Sequence, residues 1–198
     1  MTASAPASWG EPTHVPTGGQ TVGPFFRFGV EYERMNEVAF PHSPGAIVLT
    51  GTVYDGEGAP IPDAIIEIFG ADTDGSVPDA RGSLRRDGFT FTGFGRTMTE
   101  DDGRYHFWTR NPGPTPGPDG RPRAPFIAAV VFARGLPDKL HTRIYLPEDD
   151  ELRASDPFLQ GLTDAERASV TAERTADGYL RHDIHLQGER ETAFIAFR

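Results

Sequence analysis

Six histidines, His14, His42, His106, His141, His182 and His185, are the side chains of this sequence best suited to bind a metal or move a proton near neutral pH. Two ligands on one strand must stand two residues apart for both rings to face the same way. His182 and His185 stand three apart, so on the strand predicted there they point to opposite faces and do not share an ion. His106, between Tyr105 and Phe107 and near Trp108, has neighbours that suit a general base, but they equally describe a half-buried strand residue. His141 heads another strand and reads as a hydrogen-bonded structural histidine.

Arg134 has a more specific reading. It follows the most apolar run of the chain directly, and Gly135 behind it lets the backbone bend, so a guanidinium is presented at a strand end. Its planar fork can take a carboxylate through two parallel hydrogen bonds, which lysine cannot do. A solvated arginine at a sheet edge is the competing reading. Other chemistries leave no trace: the sequence has no GxxxxGK[ST], no HExxH, no GxSxG and no complete GxGxxG around Gly93-Phe94-Gly95. The absence of cysteine excludes disulfides, zinc thiolates and thiol nucleophiles together, and it fits a reducing cytoplasm.

The elements that must position these residues are short and β-rich. Ala46–Tyr54 (AIVLTGTVY) and Ala64–Phe69 flank a Gly/Pro turn and read as an antiparallel pair. Phe94–Thr99 and Arg104–Arg110 read as a second hairpin, with Tyr105, Phe107 and Thr109 on one face and His106, Trp108 and Arg110 on the other. Pro125–Phe132 (PFIAAVVF) is nearly all apolar, as expected of a central strand covered on both faces. Leu140–Leu146, Tyr179–Leu186 and Thr192–Phe197 supply three more strands, with Leu180, His182, Ile184 and Leu186 sharing a face. Val77–Thr92 reads as a long surface loop, Pro147–Ser155 as an acidic loop, and the Pro-rich 112–123 as a stiff excursion without regular structure. Thr163-Asp164-Ala165-Glu166 has capping-box order and predicts one short helix to about Thr171. The fold class that follows is mainly β: an antiparallel β-sandwich with one short helix and long loops.

Composition narrows the partners. Nineteen basic against 29 acidic residues give a formal charge of −10, and no basic cluster exceeds Arg85-Arg86, so nucleic acid and anionic membranes are poor partners. No apolar run is long enough to span a bilayer. The first 20 residues lack a basic start and an apolar core, and they read as a flexible Ala/Ser/Pro/Gly arm ahead of a single domain over 21–198. Together these features predict a cytoplasmic protein.

Ordered landmarks carry a resemblance. Gly51-Thr52-Val53-Tyr54-Asp55-Gly56, then Pro62-Asp63-Ala64 through Ile68-Phe69-Gly70-Ala71-Asp72, then Phe94-Gly95-Arg96-Thr97, Asp102-Gly103-Arg104-Tyr105 and Pro112-Gly113 resemble the intradiol ring-cleavage dioxygenases. The likeness runs from about Thr21 to the C-terminus, with Phe69 where the family has tryptophan. Catalytic members hold ferric iron with two tyrosines and two histidines. Here Phe126 and Ala128 stand at the histidine positions, Pro112-Gly113-Pro114-Thr115 lacks the tyrosine expected after Pro-Gly, and no tyrosine lies between Ala80 and Phe94. A phenyl ring and a methyl group cannot ligate iron. Thr21-Val22-Gly23-Pro24-Phe25, Phe132-Ala133-Arg134-Gly135, Leu140-His141-Thr142-Arg143-Ile144-Tyr145 and Asp183-Ile184-His185-Leu186-Gln187-Gly188 resemble the non-catalytic α subunits of the family's two-subunit members.

The resemblance implies an iron-binding β subunit as partner, a higher-order αβ oligomer, Fe(III) held by that partner, and a small aromatic acid, 3,4-dihydroxybenzoate, as substrate. It implies that Thr21, Gly23, Pro24 and Phe25 line the partner's pocket and that Arg134 binds or guides the substrate carboxylate. Phe25 stands where the family has tyrosine, so it keeps a packing role and loses a hydroxyl. The alternative at this point is a non-enzymatic β-sandwich binding module of transthyretin-like type, which the Gly51–Phe69 segment alone would fit.

Overall fold

The computed structural model describes residues 18–79 and 86–197, so most of the expected N-terminal arm, His14 and Arg85 lie outside the described residues. In chain order the elements are α1 (Phe26–Val30), β1 (Ala46–Tyr54), β2 (Ile65–Gly70), β3 (Phe94–Met98), β4 (Arg104–Arg110), β5 (Thr115–Pro116), β6 (Pro122–Arg123), β7 (Phe126–Phe132), β8 (Leu140–Tyr145), α2 (Asp150–Ser155), α3 (Pro157–Gln160), α4 (Asp164–Ser169), β9 (Glu173–Arg174), β10 (Leu180–Arg181) and β11 (Ile184–His185).

Two sheets face each other. In one, β1 pairs antiparallel with β4 from Ala46↔Arg110 to Thr52↔Arg104, and its other edge takes β10 and β11 in parallel. The second has the order β3-β2-β7-β8 and is antiparallel throughout. Side chains alternate across each strand, which sends Leu49, Val53, Tyr105, Phe107, Leu180 and Ile184 of the first sheet against Ile66, Ile68, Ile127, Val131 and Ile144 of the second. Each such burial contributes roughly 1.5–3 kcal/mol. The β-sandwich read from the sequence is therefore present, and β4 alternates as expected, with Tyr105, Phe107 and Thr109 buried.

The pairings within it differ from the sequence reading. β1 and β2 are not a hairpin: only the Tyr54↔Pro60 bridge and the Ile61 N–H to Val53 carbonyl bond link them before the chain crosses to the other sheet. β3 and β4 also belong to different sheets, although a tight Glu100–Gly103 turn joins them, with Gly103 at φ +76°. A turn signature records that the chain reverses, not whether its two arms share a layer. β7 is central as expected, but Phe126, Ala128, Val130 and Phe132 on its outer face are only half-buried.

Among the described residues, four helices replace the single one expected, all short. The acidic Pro147–Ser155 stretch contains α2, and Asp156 caps α3, its Oδ1 accepting from Phe158 N at 2.9 Å with Pro157 in the first turn. α4 has the predicted capping box on Thr163 and Glu166. The Pro-rich 112–123 is not wholly irregular. β5 and β6 form a minimal ladder in which Gly117 N donates to Arg121 O at 2.7 Å, so Pro116 and Pro122 need no N–H.

Tyr179–Leu186 is split into β10 and β11 at His182-Asp183, where the Asp183 carboxylate takes the Thr52 N–H at 3.0 Å. Thr192–Phe197 is not a strand. Its bonds, such as Ile195 N to His141 O at 2.7 Å and Thr142 Oγ1 to Ala193 O at 2.8 Å, are isolated rather than a ladder. No helix among the described residues is long and apolar enough to cross a membrane.

Candidate functional site

Arg134 follows β7 in a turn closed by Gly135 at φ +90°, a conformation that favours glycine. Its Nε pairs with Asp63 Oδ2; the arginine side chain is 55% exposed and the aspartate 14%. Asp63 stands in the loop that enters β2. The buried hydroxyl of Thr99 braces this loop, donating to Ile61 O at 2.7 Å and accepting from Ala64 N at 2.9 Å.

The N-terminal segment docks on the same corner. Thr21 Oγ1 accepts from Gly135 N at 2.8 Å and donates to Ala133 O at 3.4 Å, so one hydroxyl holds the backbone on both sides of Arg134. Five residues into the docked segment, α1 begins, and Arg27 Nη1 reaches the Pro62 carbonyl at 3.3 Å. Val22, Phe26, Phe132, Ala133 and Leu136 line a small cavity of about 210 Å³ between the segment and the turn. Of the five residues expected to touch substrate, the structure brings Thr21 and Arg134 together. Gly23, Pro24 and Phe25 project into solvent, Phe25 being 80% exposed.

The outer face of β7 gives a second view of the chemistry. Phe126 and Ala128 point to the same side, and across the ladder they meet Tyr145 and Arg143. The Arg143 guanidinium carbon lies 4.4 Å from the Phe126 ring centre and 5.0 Å from that of Phe158. Its Nη1 donates to the Tyr145 phenol at 3.0 Å, and that phenol donates to Asp156 Oδ1 at 3.1 Å. Burial pushes the Tyr145 phenol up to about 12, against the pull of Arg143. This face therefore presents a cation between two aromatic rings at the positions that the resemblance would give to histidine ligands, and a phenyl ring, a methyl group and a guanidinium do not fit a ferric ion. Among the described residues, no three His, Cys, Asp or Glu side chains gather closely enough to hold a metal.

The histidines are dispersed. His182 is buried, and its Nε2 lies 2.9 Å from the Ser169 carbonyl, which can only accept, so the proton sits on Nε2. Burial lowers its pKa to about 4 and Nδ1 has no partner among the described residues. His185 points to the other face and stacks on Tyr54 at 4.8 Å. His106 Nε2 lies 2.9 Å from the Asn36 amide nitrogen, His141 packs edge-on to Phe197 and His42 edge-on to Trp108. A wider cleft of about 1010 Å³ beside α4 involves His182, His185 and residues 188–194 but neither Arg134 nor the Thr21–Phe25 segment.

Sequence reasoning passed over Asp63, Thr99 and the Phe158–Arg143 stack. Nothing in the linear pattern ties Asp63 to Arg134, and the Pro62-Asp63-Ala64 motif gave the only hint that the position matters.

A dioxygenase family model matches residues 28–188. The chain is 36% identical to a protocatechuate 3,4-dioxygenase alpha chain of Pseudomonas putida, over 91% of this chain and 96% of the relative. It is 34% identical to a protocatechuate 3,4-dioxygenase beta chain of Burkholderia cepacia, over 74% of this chain and 66% of that one. Among solved structures, the dioxygenase domain of a dioxygenase carbohydrate-binding protein fusion from Streptomyces sp. SirexAA-E superposes with a TM-score of 0.56 at 20% identity, covering 88% of this chain and 96% of that domain. That last likeness is one of fold.

Proposed function

Since the chain belongs to the intradiol dioxygenase family, we propose that it is the non-catalytic α subunit of a protocatechuate 3,4-dioxygenase and completes the active site of an iron-binding β subunit. The outer face of β7 carries this reading, because a near-full-length likeness to the α chain coexists with a ligand face made of a phenyl ring, a methyl group and a guanidinium. Iron on the β subunit would supply the activation of diol and dioxygen, opening 3,4-dihydroxybenzoate between its hydroxylated carbons to give 3-carboxy-cis,cis-muconate.

The part played by this chain is binding and shaping. Arg134 meets the substrate carboxylate at the mouth of the shared pocket, and Thr21 holds the turn that presents it. Gly23, Pro24 and Phe25 form one wall, where Phe25 acts by packing because it has no hydroxyl to donate. A chain of net charge −10 repels an anionic substrate, although salt screens that field beyond roughly 8 Å. Arg134, its charge balanced by Asp63, answers this at short range by offering guanidinium N–H donors where the carboxylate arrives. The exposed Phe25, Phe26 and Phe28 around α1 support a heteromeric contact that removes them from water. The complex would be a cytoplasmic assembly of several αβ units.

Co-expression with a β subunit tests the proposal. The expected result is a heteromer that co-purifies with stoichiometric iron, has a red-brown colour and consumes protocatechuate and oxygen one to one. A monodisperse monomer that neither binds the β subunit nor changes its activity overturns it, and would favour the binding-module alternative.

A further inference from the structure

We propose that Asp63 is a positioning residue for Arg134: it engages Nε within the chain and leaves the Nη1–Nη2 edge of the guanidinium as the one free fork for a substrate carboxylate. The inference rests on the reading of Arg134 given above and adds the group that aims it.

The geometry points this way through several contacts. The fork has a planar, fixed set of N–H bonds, and a carboxylate can engage it bidentately along only a few edges. Asp63 Oδ2 lies against Nε as an ion pair, the arginine side chain is 55% exposed, and neither Nη donates a hydrogen bond to a described residue, so those donors are unspent. Asp63 itself is nearly buried, with Oδ1 sealed from solvent and without a partner among the described residues, so its charge depends on Arg134 for compensation.

The platform under Asp63 is stiff. Thr99 ties Ile61 to Ala64 on either side of it, and Arg27 holds the Pro62 carbonyl just before it. On the opposite side, Thr21 fixes the peptide groups flanking Arg134. A half-exposed arginine would otherwise sample many rotamers, and ordering it on binding would weaken the contact. With Asp63 in place that ordering is done before substrate arrives. The ion pair reduces long-range attraction for the acid and gives directional binding in exchange, which is a device for selecting carboxylate-bearing diols over neutral ones.

The test uses the heteromer formed with a β subunit and four variants: Asp63→Ala, Asp63→Asn, Arg134→Ala and the Asp63→Ala/Arg134→Ala double. Steady-state kinetics with protocatechuate and competitive inhibition by catechol are measured for each. Asp63→Ala should raise KM for protocatechuate about three- to tenfold, with kcat within about twofold, and should shift catechol binding much less. Asp63→Asn should fall between, because its amide keeps a polar oxygen beside Nε while losing the charge. In the Arg134→Ala background, Asp63→Ala should add nothing.

A lower KM for the acid, an equal shift for both compounds, or full additivity in the double variant overturns the inference while leaving Arg134 itself in place. If Arg134→Ala does not change the ratio of acid to catechol, the reading of Arg134 fails and Asp63 has nothing to aim. Should Asp63→Ala prevent assembly, Arg134→Lys carries the same test. A single ammonium cannot serve Asp63 and a carboxylate on separate planar edges, so most of the preference for the acid should be lost despite the retained charge. Undiminished preference in Arg134→Lys overturns the proposal.

Discussion

The phenol of Tyr105 donates a hydrogen bond of 2.6 Å to the His182 carbonyl, next to the space that Gly51 leaves by having no Cβ. A Cβ on Gly51 would stand 1.8 Å from that same oxygen, so β1 can carry only glycine there while the break between β10 and β11 stays in place. Tyr105→Phe should cost about 1–3 kcal/mol by leaving the buried carbonyl without this donor. Gly51→Ala should cost more, since backbone rather than a side chain must move. Denaturant unfolding of both variants checks the order, and a Gly51→Ala variant as stable as wild type would contradict it.

His182 makes stability pH-dependent. Its folded pKa of about 4 lies below the unfolded value of 6.5, so the unfolded chain binds the extra proton first. The contribution is fully present above about pH 6.5 and is lost as pH falls towards 4; the shift corresponds to at most about 3 kcal/mol. Melting curves between pH 7.5 and 4.5 should show a shallower decline for His182→Gln than for wild type. Parallel declines would mean that carboxylates alone set the acid limit.

Arg134→Ala should lower kcat/KM for protocatechuate by roughly ten- to a hundredfold, equivalent to about 1.5–3 kcal/mol for a charge-assisted contact. The effect should fall on KM, and iron content of the heteromer should be unchanged. Catechol, which lacks the carboxylate, is the control. Equal losses for the two would assign Arg134 to the fold or the subunit interface.

Arg143 holds the outer face of β7 together. Arg143→Ala removes a cation from between Phe126 and Phe158 and a donor from Tyr145, and should destabilise the chain by about 1–3 kcal/mol. Arg143→Lys keeps the charge but not the planar stack, so it should fall between Arg143→Ala and wild type in thermal melting.

Ferric titration of the isolated chain should give no tight one-to-one site and no tyrosinate charge-transfer band. Phe126→His with Ala128→His should still give none while Arg143 remains, because the guanidinium stands opposite Ala128 in the β7–β8 ladder and repels a trivalent ion. Tight iron binding by the unsubstituted chain would remove the argument that the metal belongs to the partner, and tight binding by the double variant would remove the role given to Arg143.

The sequence by itself determined what depends on neighbours a few residues apart. The β-branched run of β1, the alternation of Tyr105, Phe107 and Thr109 against His106, Trp108 and Arg110, the capping box on Thr163 and the Arg134-Gly135 turn are all where their residue types require. That the side chains of Phe126 and Ala128 have no lone pair to offer a metal is likewise written in the sequence alone. Only the tertiary structure decided which sheet each strand joins, that β1 and β2 part company after a turn that reads like a hairpin, and that 150–155 is helical. It also decided that Asp63 holds Arg134, that Thr21 spans the turn and that Arg143 lies on Phe126. Backbone preference and side-chain alternation act over one or two turns of chain and are written locally. Pairing between distant segments is set by which faces can exclude water together and which charges must then find partners, and that balance exists only once both sheets are in contact.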